Sequence, residues 1–490
     1  MRNSKLTEHH LKKGKFVTPF NEIMSTVSKK DSWSYGRVPE YFWLGLIIDG
    51  GERTEQLEKC MKLLMRLKEL DKDYEIDLPK ISLILRLDKQ NQAIFFSYME
   101  ELGILHYLRP LSLVLSGKSD VFDYYINGYL ESILSRTETL NSMLAKISSH
   151  QADLSTDIRY LIIYSMSISE KLYFSVDDSL PERLTDYPYY SHSDSEMNFL
   201  RPSIRALEGG LVNADEENKN NMFAEEFWGK VSLLTECKEC YISMLENKLI
   251  DLDKYKIYVH DILEYYNEIF KNTMVLDTKM LTLIGIATYS YKRILELVDH
   301  DLEHTISGRT IVRSLAENLM MTKYLLKEEP NHEDIWNEFQ YYGIGQYKLI
   351  FERYAENNPE LETNHVEFEY IDALVSEFTN KEFIDMDTNY FGKGNIKTKF
   401  ESVEEGNLWR YAYDYDSQFE HGLWGAIRES SILKCNAPGH MYHGVPDIEN
   451  KQKLKSVAND CVKIMNKHID VLNQIYELPD FLRKEDYYDQ

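Results

Sequence analysis

The feature that most restricts how this chain can fold is an apolar pattern that keeps the helical period almost from end to end. In "ERTEQLEKCMKLLMRLKEL", Leu57, Cys60, Leu64 and Leu67 recur every three or four residues, the spacing of one buried helix face. The same period returns over 121–148, 154–173, 222–247, 252–271, 277–300, 303–328, 333–357, 365–378, 404–433 and 449–476. No alternating apolar–polar run of the strand type competes with it. The breakers sit where helices should begin or stop. Pro39 opens a helix that Gly50 and Gly51 close, Gly103 ends "KQNQAIFFSYMEELG", and Pro110 interrupts "ILHYLRPLSLVLSG". The predicted fold class is all-α. A C-terminal helical bundle over 220–480 carries the polar motifs described below, and an N-terminal helical region over 1–215 packs on it. "GGLVNADEENKNN" reads as the linker, and "SVDDSLPERLTDYPYYSHSDSEMNFL" as an ordered surface loop.

Composition narrows the function. The formal net charge is −25, so a phosphate-binding coat over the whole surface is excluded, while a local site for RNA stays open. Tyrosine is abundant, 35 against 20 Phe; its apolar ring and polar tip suit half-buried helix faces and interfaces. Five scattered cysteines do not form a secreted disulfide framework. The first residues hold no apolar signal core, and no run approaches the ~18 apolar residues of a membrane span. The expectation is a cytoplasmic protein with no membrane association.

Two stretches carry chemistry. In "YAYDYDSQFEHGLW", Tyr413, Ser417 and His421 recur every fourth residue after Trp409, so on a regular helix they form one slowly winding stripe. Ser417 and His421 are either a nucleophile with its base or polar groups satisfying one another between packed helices. In "SGRTIVRSLAENLMMTKYLL", Arg313 and Glu317 stand four apart among Leu315, Ala316, Leu319 and Met320. They form either a clasp inside the bundle or a cation, held by its carboxylate, that binds an anion. The two motif helices should be neighbours, with Arg313 or Glu317 in reach of Tyr413, Ser417 or His421.

These motifs resemble a bacterial all-helical family catalogued as a domain of unknown function: an Arg-x3-Glu helix, then Trp-x3-Tyr-x3-Ser-x3-His. The resemblance covers roughly 275–435 and implies site residues Arg313, Glu317, Tyr413, Ser417 and His421. It also implies a place among accessory or phage-defence genes, and no mechanism. After the histidine, Gly422-Leu423-Trp424 departs from the longer small or polar run of that family. The Arg and His spacing of HEPN-type helical ribonucleases is absent; only an Arg313–His421 pair from two helices could imitate it.

Further donors give no closed pattern. Cys435, His440 and His443 in "CNAPGHMYHG" are atoms zinc accepts, but the spacing lacks a fourth ligand, and the stretch reads as a plain loop. Cys237 and Cys240 of "ECKEC" read as structural thiols inside a helix. "GIGQ" at 343–346 reads as a close helix contact or a kink. No phosphate loop, HExxH or kinase set is present, so neither cofactor nor metal is expected. The resulting reading is a phage-defence or stress-associated helical protein that works through a protein partner or its own copies. The alternative is an effector enzyme acting on RNA or a nucleotide at Arg313, Glu317, Ser417 and His421.

Overall fold

Helices follow the apolar period closely in the computed structural model, which describes residues 5–18, 32–71, 76, 78–172, 179–212, 222–245, 250–272, 277–357, 365–377 and 383–482. The chain forms two compact units. The first comprises Met1–Cys240 with Lys434–Gly444, and the second Tyr241–Leu433 with Val445–Gln490.

The first unit begins with a small antiparallel hairpin, β1 (His10–Lys12) and β2 (Lys15–Val17). Its main helices are α1 (Val38–Asp49), α2 (Arg53–Leu70), α3 (Lys89–Glu101), α4 (Ile133–Ile147), α5 (Asp153–Ile168), α6 (Met197–Val212) and α7 (Met222–Leu233). Helix α1 is apolar on every side and buried from Val38 to Ile48, as a central core helix must be. Its Trp43 meets Phe95, which packs on Phe96 and so on Phe122. Leu57, Cys60, Leu64 and Leu67 all face this core. Buried charges are neutralised where they enter. Glu208 accepts two bonds from Arg37 at 2.7 Å and lies 3.3 Å from Arg159. Asp157 accepts from Arg53, Tyr187 and His192.

The second unit holds α8 (Leu252–Lys271), α9 (Thr278–Asp299), α10 (Ile306–Glu328), α11 (Ile335–Asn357), α12 (Phe368–Glu377), α13 (Asp414–Glu420), α14 (Trp424–Ser430) and α15 (Ala458–Ile475). Helix α10 is its axis, with twelve buried residues from Gly308 to Leu325. Gly345 of α11 sits where a Cβ would lie 2.3 Å from the Asp385 carbonyl oxygen, so the close contact at "GIGQ" is with a loop and not with a second helix.

Five expectations need correction. The predicted helix over 121–148 is two, Asp120–Ile126 and α4, divided at Asn127–Ser132. The predicted loop over 175–200, of which 175–178 lie outside the described residues, holds a helix, Leu180–Asp186, and buries Tyr187, whose hydroxyl finds Asp157. The helix predicted over 222–247 stops at Leu233. Thr235 turns its hydroxyl back onto the Val231 carbonyl, and Glu239–Cys240 becomes a strand, β3, with Glu239 opposite Cys435 and Cys240 opposite Lys434. Local propensity lost there to a pairing partner far along the chain. The helix predicted over 404–433 breaks at Gly422, whose φ of 57° is left-handed and ends α13. The last helix begins at Ala458, not near 449.

Candidate functional site

The polar motifs meet where α10 faces the segment leading into α13. A turn with π-type hydrogen bonding spans Trp409–Tyr413, closed by the Asp414 amide donating to the Trp409 carbonyl. This wider turn spoils the strict four-residue stripe. Tyr413 turns inward and is buried against Phe400, with ring centroids 5.2 Å apart.

Arg313 and Glu317 are not in direct ionic contact; the Tyr413 hydroxyl links them. It accepts from Arg313 Nη2 at 3.2 Å and donates to Glu317 Oε2 at 3.3 Å. The second Glu317 oxygen accepts from the Tyr390 hydroxyl at 2.7 Å. The Arg313 guanidinium also lies 5.1 Å from the centre of the Tyr413 ring and 4.0 Å from Glu420. Beyond Tyr390, the Lys399 ammonium lies 5.1 Å from its ring and 5.3 Å from that of Tyr324, and donates to the carbonyls of Lys393 and Gly394. The arrangement runs cation, phenol, carboxylate, phenol, cation.

The electrostatics agree with that order. Burial raises the Tyr413 and Tyr390 phenols, and the Glu317 charge adds to it. Burial pulls Arg313 down, but the Tyr413 bond and the Glu317 and Glu420 charges more than reverse this. The phenols stay protonated donors and Arg313 stays a cation.

Arg313, Glu317 and Tyr413 are therefore brought together. Ser417 and His421 are not part of the network. The Ser417 hydroxyl donates to the Tyr413 carbonyl at 2.6 Å, within its own helix. His421 is exposed at the end of α13, and its ring makes no hydrogen bond to any described residue. Tyr390, Lys399 and Glu420 escaped the sequence reading because they lie outside the four-residue pattern, Tyr390 in a polar loop with no period at all.

One turn along α13, Asp416 is buried and its Oδ1 has no hydrogen-bond partner among the described residues. Burial pushes its carboxyl up to about 7, with Asp460 and Glu429 adding and Arg309 opposing. Arg309 donates to the Lys455 carbonyl at 2.7 Å and lies between the rings of Tyr415 and Phe419, 5.9 and 5.7 Å from their centres.

In the first unit, Cys435, His440 and His443 come together with Cys237, a donor that their own spacing does not reveal. Its separation from them in sequence, and the helix expected around it, concealed it.

Residues 280–440 match a family described as "Family of unknown function (DUF5677)". The match takes in both motif helices, as the resemblance to an uncharacterised family requires. No curated protein and no solved structure matches the chain. No described helix is long and apolar enough to cross a membrane. The matched segment of this essentially all-α chain is thus similar to a family without an assigned activity.

Proposed function

We propose that the protein acts by binding another protein, and that the turn after α13 is its contact surface. The observation that carries this is Trp424, 69% exposed, beside Leu423 at 51%. Ile427 lies one turn further along the same face of α14 and is also exposed. A tryptophan offered to solvent next to two aliphatic side chains is the composition of an interface anchor. Glu420 and Asp414 stand exposed nearby, and the chain as a whole is strongly acidic. The partner that fits is a protein with an apolar pocket and a cationic rim. The chain's own charge disfavours a second copy. The phage-defence or stress setting implied by the family resemblance belongs to the same proposal.

The alternative, an effector acting on RNA or a nucleotide, would need Ser417 or His421 to serve chemistry. What supports binding over catalysis is that the Ser417 hydroxyl is engaged by a main-chain carbonyl, while Arg313 and Glu317 are matched by tyrosines. Phage-plating or toxicity assays at matched expression separate the two. Removing an anchor residue costs ~2 kcal/mol or more, about thirtyfold in affinity. Trp424→Ala should then abolish the phenotype and His421→Ala should keep it. The reverse pattern would transfer the function to the histidine.

A further inference from the structure

The first unit holds a second polar group of a different kind. Cys237 Sγ, Cys435 Sγ and one ring nitrogen from each of His440 and His443 all lie within 4.8 Å of one another. We infer that these four side chains bind one Zn²⁺ ion in a closed, structural site.

The distances carry the argument first. Zinc–sulfur bonds of about 2.3 Å and zinc–nitrogen bonds of about 2.05 Å in a tetrahedron put two nitrogens about 3.3 Å apart, and a nitrogen and a sulfur about 3.5 Å apart. His440 Nδ1 lies 3.3 Å from His443 Nε2, and that nitrogen lies 3.4 Å from Cys237 Sγ. Two edges of the tetrahedron are already set.

The protonation pattern carries it next. His440 Nε2 lies 3.1 Å from the Ser232 carbonyl and 2.9 Å from the Thr235 carbonyl. Carbonyls only accept, so the ring proton is on Nε2. The Nδ1 lone pair is left facing the other three donors. A metal-bound histidine is commonly oriented in this way, its far nitrogen donating to a carbonyl. The Ala437 amide donates to Cys435 Sγ at 3.3 Å, which holds the sulfur in place beside the other three groups.

The backbone is shaped to the same end. Cys435 is fixed by pairing with Glu239, and the Asn436 amide donates to the Lys238 carbonyl at 2.8 Å. Met441 and Tyr442 both take left-handed conformations, φ 51° and 53°. Such residues are costly unless the surroundings require them, and here they turn His443 back onto Cys435, whose amide donates to the His443 carbonyl at 2.9 Å. A Cβ at Gly439 would lie 2.3 Å from Thr235 Oγ1, so glycine lets the loop reach the end of α7. Two sulfurs and two imidazoles in a tetrahedral set select zinc over oxygen-seeking cations. With four protein ligands there is no open position for substrate, which makes the site structural. Cys237 and His443 are exposed, giving the ion a path in.

The test uses the full chain, expressed in zinc-supplemented medium and freed of any histidine tag. Elemental analysis of the wild type should find one zinc per chain. Cys237→Ser and His443→Ala should each lose most of it. Cys240→Ser should keep it, because Cys240 stands outside the group. Should the variants fail to fold, cobalt(II) added to chelator-stripped wild type reads the same ligands. Thiolate charge-transfer bands with strong tetrahedral visible bands would support the site. Wild-type protein with little zinc and no such cobalt spectrum would overturn the proposal. So would a Cys237–Cys435 disulfide found by mass spectrometry, or equal zinc loss in Cys240→Ser.

Discussion

The Arg313–Tyr413–Glu317–Tyr390 network of the second unit and the Cys237–Cys435–His440–His443 group of the first differ in what their members offer one another. In the network, three donors find acceptors: Arg313 Nη2 gives to Tyr413, and Tyr413 and Tyr390 give to Glu317. The buried Arg313 Nε has no partner among the described residues. In the cysteine–histidine group, two sulfurs face the lone pair of His440 Nδ1 and a second imidazole. Sulfur and imidazole ligand atoms that converge at the spacing of a zinc tetrahedron offer a place to a cation. Polar groups that complete one another hold a fold together, and polar groups that share the same need mark a place for something else.

The largest effect expected from this contrast is on the metal group. Chelation should destabilise the first unit by on the order of 4 kcal/mol, the mass-action gain from a ligand held at ~1,000 times its Kd. Denaturant unfolding with and without chelator reads this, and readdition of zinc should restore it. Equal midpoints would erase the difference between the two regions.

Next in size is Glu317→Ala. It leaves the buried Tyr413 and half-buried Tyr390 phenols and the Arg313 cation without their common acceptor, and removal of one side of a buried charged network costs ~3 kcal/mol. Thermal melting should show the loss, with zinc content unchanged. Arg313→Ala is expected to be milder, about 1–2 kcal/mol, because Glu317 keeps both tyrosine donors. A melting curve for Arg313→Ala that overlays wild type would mean that Arg313 is held for a ligand and not for the fold.

A pH test sharpens the picture of the second unit. Burial lowers His468, which meets Thr322 Oγ1 at 3.0 Å, from 6.5 to about 4. Its folded value is below the unfolded one, so its contribution is present above pH 6.5 and is lost as pH falls through about 4. Asp416 has the opposite sign. Raised to about 7 from 3.8, it contributes most below pH 3.8, and that contribution is lost as pH rises through 7. Between pH 4 and 6.5 the two oppose each other. Asp416→Asn removes the opposing contribution, so from pH 7 to 4 the variant should lose about 3 kcal/mol more stability than wild type does. Equal pH profiles for the two proteins, measured by urea unfolding, would contradict this.

Much of this was legible in the sequence, for reasons that particular residues make plain. Leu57, Cys60, Leu64 and Leu67 announced α2 because a helix face repeats locally, and they are all buried. Arg313, Glu317 and Tyr413 could be paired in advance because polar residues on covered helices need partners, and the structure gives them one another. The register of the Tyr413–Ser417–His421 stripe could not be read, since a π-turn at Trp409–Tyr413 obeys no apolar pattern. Tyr390 reaches Glu317 from a loop, where position depends on tertiary contacts alone. Cys237 was hidden by its setting. "LLTECKECYISML" keeps a helical period, yet the chain leaves the helix at Leu233 to pair with residues that come nearly two hundred positions later.

The contrast between a donor–acceptor network and a group of metal-ligating atoms is tested most directly by amide hydrogen exchange on the wild-type protein with and without chelator. Chelation should speed exchange in 232–240 and 434–444 and leave 309–321 and 409–420 unchanged. Unchanged exchange in the first set, or equal acceleration in both, would contradict it.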